Sequence, residues 1–268
     1  MRRQAVLLAL LLVLIAGVGP AGAVTWGEPD TEHGNVGAIL VPSPNGDGLI
    51  PFCSGTLVSP RVFLTAGHCT ALMQTYGIDP SWIAVTFDVS ALESPTLLDV
   101  DQIITHQGFK MRRASIPHDV GVLILTNPIA VIRPAELPEE AFLDQLKRDG
   151  KLRSDGEGVK FTVVGYGVTL DRPPPRKGIG GVRLSAQSEY LGLQKAWLLV
   201  SQNRATGNEG TCLGDSGGPA FWTQPDGSEI LVGITSWGDD PCVATGFNYR
   251  IDTADALAFI NAIIADLE

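Results

Sequence analysis

Gly214-Asp215-Ser216-Gly217-Gly218-Pro219 sets a serine between glycines and beside a carboxylate, in a chain that also carries Thr65-Ala66-Gly67-His68-Cys69. A serine hydroxyl becomes a nucleophile when a base takes its proton, and flanking glycines leave backbone N–H groups free to face an oxyanion. The chemistry these residue types support is acyl transfer. A base needs an orienting partner in turn. Asp119 stands at the head of the apolar run Val120 to Leu125, where an unpaired carboxylate would be costly; His68 is its best partner. His118, adjacent in sequence to Asp119, is the competing choice of base, and His33 and His106 read most simply as loop or surface residues.

Gly214, Ser216 and Gly218 also satisfy G-x-S-x-G, the nucleophile elbow of α/β-hydrolases, in which the histidine follows the serine. All four histidines here precede Ser216, and the segment continues into strand-like Ala220-Phe221-Trp222 rather than a helix. The order His68, Asp119, Ser216 remains. With T-A-G-H-C, H-D-V-G-V-L-I-L and G-D-S-G-G-P in succession, the chain resembles the trypsin and chymotrypsin family of serine endopeptidases from about Val24 to its end.

That resemblance implies roles residue by residue. Ser216 would attack the scissile carbonyl, His68 would take and return the proton, and Asp119 would hold the imidazolium. The N–H groups of Gly214 and Ser216 would form the oxyanion hole. Asp215 corresponds to the carboxylate that pairs with a newly released α-amino group, here that of Val24, although Trp26 departs from the family's I-V-G-G start where a glycine is expected. The reading is that signal peptidase itself exposes Val24, with no separate activation step. Gly210 falls at the pocket floor in place of the aspartate of tryptic enzymes, next to Thr211. Ser236, Trp237 and Gly238 match the strand that pairs with substrate backbone, and Gly238 and Gly246 match open pocket walls. An uncharged pocket for apolar, including aromatic, side chains is expected, although Glu209, Asp239 and Asp240 near the rim could attract a basic one. The alternative reading is a catalytically inert, peptidase-like binding protein.

The elements that must position these residues read as mostly β. Runs rich in Val, Ile, Thr and aromatics recur between Gly, Pro, Asn and Asp clusters, at 36–41, 82–87, 97–105, 120–125, 161–166, 181–186, 196–200, 230–237 and 246–251. Many short strands with Gly-rich turns suggest sandwiches or barrels. Pro128 to Pro138 reads as a linker and Asp171 to Gly178 as an exposed loop. From Thr253 onward Leu257, Ile260, Ile263, Ile264 and Leu267 fall at helical spacing behind an N-cap at Asp252 or Thr253. The family likeness implies an all-β fold of two six-stranded antiparallel Greek-key β-barrels with a C-terminal α-helix, one barrel over 24–130 and the other over 131–268.

Residues 1–23 stand apart: Arg2 and Arg3, an apolar run from Ala5 to about Val18, then Ala21-Gly22-Ala23. This has the form of a secretory signal peptide, so a secreted, extracellular or periplasmic protein is expected. In an oxidising compartment Cys53, Cys69, Cys212 and Cys242 read as disulfides, and four cysteines allow three pairings. Nearest-neighbour pairing, Cys53–Cys69 and Cys212–Cys242, closes two modest loops and matches two bridges of the family. At 268 residues, 44% hydrophobic and 18% charged, the chain can bury a substantial core. Its net charge of −10, more negative still without Arg2 and Arg3, opposes binding to nucleic acid or anionic membrane. Protein or peptide substrates, a monomer, no membrane association after signal removal, no cofactor and no metal are expected. The segment from Tyr76 to Leu98 offers only scattered Asp79, Asp88 and Glu93.

Overall fold

The computed structural model describes residues 24–111, 116–154, 159–168 and 180–268. The segment read as a signal peptide and the loop Asp171 to Gly178 lie outside the described residues.

Two closed antiparallel barrels account for the strands. The first is built from β2 (Val36–Pro42), β3 (Leu49–Ser59), β4 (Val62–Thr65), β5 (Ala84–Thr86), β6 (Leu98–Thr105) and β7 (Gly121–Leu125). Their order is β2-β3-β4-β7-β6-β5, closed by β5 pairing back on β2. The second uses β8 (Lys160–Gly165), β9 (Leu184–Leu193), β10 (Trp197–Ser201), β11 (Pro219–Thr223), β12 (Glu229–Gly238) and β13 (Thr245–Arg250), closed by β8 on β9. A short β1 (Glu28–Pro29) joins β9 from outside the ring. Closure leaves neither ring with an unpaired edge to template other chains.

Side-chain alternation sorts each barrel into an inside and an outside. Ile39, Leu57, Phe63, Val85 and Leu123 fill the first interior, and Phe161, Val163, Leu198, Val200 and Val232 the second. A third apolar cluster, including Val122, Tyr166, Trp197, Ile234, Tyr249 and Ile260, joins the barrels to each other and to the C-terminal helix. Each fully buried large side chain contributes about 1.5–3 kcal/mol.

The expected strand positions hold, with ends displaced by up to two residues except for the one expected at 181–186, which begins at Leu184 and runs on to Leu193, and the structure adds what the alternation did not reveal. β3 and β4 form a hairpin buried without a break from Cys53 to Ser59 and from Val62 to Thr65, which hides any period of two there. Helix α1 (Gly67–Thr75) follows β4, and α2 (Phe142–Arg148) packs Leu143 and Leu146 against the second barrel. Helix α3 (Ala254–Leu267) starts as expected, with Thr253 rather than Asp252 as its cap: the Thr253 hydroxyl accepts the Ala256 N–H at 3.3 Å. The Pro128–Pro138 stretch is pinned on both sides, Ala135 N donating to Leu57 O at 2.8 Å and Leu231 N to Glu136 O at 2.9 Å.

Polar braces cross the junction too. Arg183 on the second barrel is buried, and its guanidinium donates to Val36 O (3.1 Å) and Phe87 O (2.8 Å) of the first. His33 is not the free loop residue its sequence context suggests. Its Nδ1 is bonded to Asp30 and its Nε2 to Glu229 (2.8 Å), while its ring stacks on Phe221. Burial opposes its charge, but the hydrogen bonds and negative charges of Asp30 and Glu229 prevail and push its pKa up to about 9.

Candidate active site

His68 is the second residue of α1, where backbone N–H groups lack helical partners. Asp119 supplies the acceptor: its Oδ1 takes the His68 N–H at 2.7 Å, and its Oδ2 lies 3.0 Å from His68 Nδ1. The disulfide Cys53–Cys69 ties the neighbouring residue to β3. Asp119 precedes β7 in a tight turn, Val120 N donating to His118 O at 2.8 Å, with His118 itself at φ +50°. A non-glycine residue there stores strain. A third donor reaches Asp119 from the second barrel, the hydroxyl of Ser236. Burial would raise the Asp119 pKa, yet the adjacent His68 charge and the hydrogen bonds from His68 and Ser236 hold it below the usual carboxylate range.

Ser216 occupies a turn bracketed by Gly214 at φ +97° and Gly217 at φ +83°. A Cβ on Gly217 would lie 2.1 Å from Thr65 Oγ1, so only glycine lets this turn approach the first barrel so closely. Ser54 of β3 holds the turn: its N–H donates to Ser216 O (2.8 Å) and its hydroxyl to Gly214 O (2.9 Å). Among the described residues, the N–H groups of Gly214 and Ser216 meet no protein acceptor. Ser216 Oγ and His68 Nε2 are not joined by a hydrogen bond in this geometry; such contacts commonly tighten when substrate binds.

Asp215 points away from Ser216 into the interior. It is fully buried, accepting from Gly167 N and Cys212 N, each at 2.8 Å, and from the backbone N–H of Val24. Burial pushes its pKa up to about 7 despite these three donors, because none carries a charge. The segment beginning at Val24 is itself seated: Val24 is buried and Thr25 N donates to Gly210 O at 2.7 Å. Trp26, the departure from the glycine expected there, takes a left-handed φ of +67° with the Arg204 guanidinium 3.7 Å above its ring.

Two open cavities flank Ser216 and His68. One, about 210 Å³, runs from His68 and Asp119 to Phe109, Trp197 and Trp237. Trp237 is stacked on Phe247 and met edge-on by Trp197, which fixes the wall. The other, about 260 Å³, reaches from Ser216 to Thr211, Leu213, Gly238 and Cys242. Of the residues expected to bind substrate, Thr211, Ser236, Trp237 and Gly238 line this cavity, and Gly210 and Gly246 do not. The bridge Cys212–Cys242 closes its side. Asp239 at the rim spends its carboxylate on the N–H groups of Val243, Ala244 and Thr245, each 2.9 Å away.

His106, expected in a loop or at the surface, lies in a loop just after β6 but is buried. It stacks on His118, and both rings bond Asp255, His118 Nδ1 at 2.6 Å and His106 Nε2 at 3.3 Å. These three side chains have the composition of a metal site. However, His106 Nδ1 already accepts the Gly108 N–H at 3.0 Å, so the proton sits on Nε2 and faces Asp255. His118 Nδ1 is hydrogen-bonded to the same carboxylate. Cys53, His68 and Cys69 also cluster, but both thiols are consumed in the disulfide.

Fold and site together define a class: two antiparallel barrels, with a hydrogen-bonded histidine and aspartate on one and a glycine-bracketed serine on the other. The family model described as Trypsin matches residues 26–260. A protein named CLIP domain-containing serine protease B15, from Anopheles gambiae, is 27% identical over 249 residues, covering 83% of this chain. The chain spans 64% of that relative's length. This chain belongs to the trypsin family. Among the described residues no helix is long and apolar enough to cross a membrane.

Proposed function

We propose that this protein is a secreted serine endopeptidase acting through Ser216, His68 and Asp119, with Gly214 and Ser216 as oxyanion donors. The observation that carries the reading is the chain of hydrogen bonds from Ser236 through Asp119 to His68, beside a serine turn in which, among the described residues, the N–H groups of Gly214 and Ser216 meet no protein acceptor. Ser216 would attack the carbonyl of a peptide or protein substrate, His68 would pass the proton to the leaving amine, and Asp119 would stabilise the imidazolium. The acyl-enzyme would then be cleared by water. Residues 24–130 and 131–268 act as the two barrels of one monomeric peptidase domain, and residues 1–23 as its export signal. The absence of a carboxylate at Gly210 supports an uncharged P1 residue.

Val24 is the proposed mature N-terminus. Its α-ammonium would replace an amide N–H against Asp215, giving the buried carboxylate the countercharge that the uncut chain lacks. Fluorophosphonate labelling tests the central claim: the wild-type protein labels and the Ser216→Ala protein does not. A folded wild-type protein that never labels would point instead to an inert binding module. Retention of full activity with two extra residues before Val24 would sink the N-terminal part alone.

A further inference from the structure

Gln202 follows β10 and is almost wholly buried behind the cavity beside Ser216. Its side chain occupies the room that three glycines leave. A Cβ on Gly210 would fall 2.3 Å from Gln202 Cγ and 2.9 Å from Cδ, one on Gly246 3.0 Å from Nε2, and one on Gly238 3.4 Å from Oε1. The amide is anchored there: Nε2 donates to Thr211 O at 2.6 Å and to Thr211 Oγ1 at 3.1 Å. Because Nε2 faces two acceptors, Oε1 points the other way, toward Gly238. It is buried and, among the described residues, has no hydrogen-bond partner.

Gln202 does not itself line the cavity beside Ser216, but it packs directly behind two residues that do, Thr211 and Gly238. The cavity touches Thr211 and Gly238 but neither Gly210 nor Gly246, and the rest of it spreads along Trp237, Asp239, Asp240 and Cys242 near the surface. Three glycines at the floor and walls suggest a deep pocket when read along the chain. In the fold the same three positions are the seat of a fourth residue.

We propose that Gln202 is a specificity-determining residue which fills the base of the primary substrate pocket and restricts it to short, uncharged P1 side chains such as alanine and valine. This rests on the peptidase reading above and deepens it. A phenylalanine or arginine at P1 would have to displace an amide held by two hydrogen bonds. An isosteric Gln202→Met preserves the obstruction, whereas Gln202→Ala vacates it and opens the floor down to Gly210.

The test compares kcat/KM for peptide substrates that differ only at P1 (Ala, Val, Phe, Arg), with active enzyme counted by fluorophosphonate labelling. Wild-type protein and Gln202→Met should favour Ala and Val over Phe and Arg. Gln202→Ala should raise the Phe-to-Ala ratio by about tenfold to a hundredfold, the range that pocket volume commands. The wild-type profile is decisive even where Gln202→Ala fails to fold. A wild-type preference for Phe or Arg overturns the proposal, as does an unchanged ratio in a Gln202→Ala protein that labels normally. A folded wild-type protein that does not label overturns the peptidase reading, and this proposal with it.

Discussion

Asp119 remains ionised in a buried position because His68 and Ser236 surround it with a charge and donors. A carboxylate with a lowered folded-state pKa stabilises the fold above its ordinary pKa and loses that contribution as pH falls through the lowered value. Ser236→Ala removes one donor. It should cost about 1.5–3 kcal/mol near neutral pH, as hydrogen bonds to charged groups do. In urea melts the gap to wild type should close in strong acid, where Asp119 is neutral in both proteins; an equal gap at every pH would contradict this account. Asp119→Asn keeps the shape but presents the wrong hydrogen-bonding face to His68, and kcat for peptide hydrolysis should fall by about 10⁴, the loss seen for this change in a related constellation.

At the scale of elements, the N-terminal segment uses an unusual device. Trp26 holds a backbone conformation that glycine adopts freely, and Arg204 stacks on its ring. The stack offsets the strain, since a cation over indole is worth about 0.5–1 kcal/mol at an exposed site. Trp26→Gly should therefore change stability little in the wild type but increase it once Arg204→Ala has removed the stack, a coupling that a double-mutant cycle by denaturant melts would read directly. Much of the site was legible along the chain because its chemistry comes in contiguous strings: His68 beside Cys69, Asp119 before an apolar strand, Ser216 among glycines. α3 was legible from its spacing and its Thr253 cap. β3, β4 and α1 were not, because continuous burial erases the alternation that marks a half-exposed strand. Gln202 was invisible for a different reason. Its position matters only through Gly210, Gly238 and Gly246, which the barrel brings together from separate strands and loops.

Across the whole molecule, the two barrels are joined by charge as well as by the shared core. His33 binds Asp30 and Glu229 with a pKa raised to about 9. A histidine with a raised folded-state pKa stabilises fully below its ordinary value near 6.5, and that contribution disappears as pH rises through about 9. His33→Gln should cost about 1–3 kcal/mol at mildly acidic to neutral pH, with the difference from wild type fading in alkaline solution. Thermal melts across that range check it, and a gap that widened with pH would count against it.

Ser54 gives the junction a further meaning. One residue of the first barrel carries the turn of the second that presents Ser216, while Ser236 of the second reaches back to Asp119 of the first. Each half thus lacks a part that only the other can align. A chain with only one barrel formed would therefore have no aligned serine, histidine and aspartate. Separately produced halves would behave as a split reporter, silent until they meet.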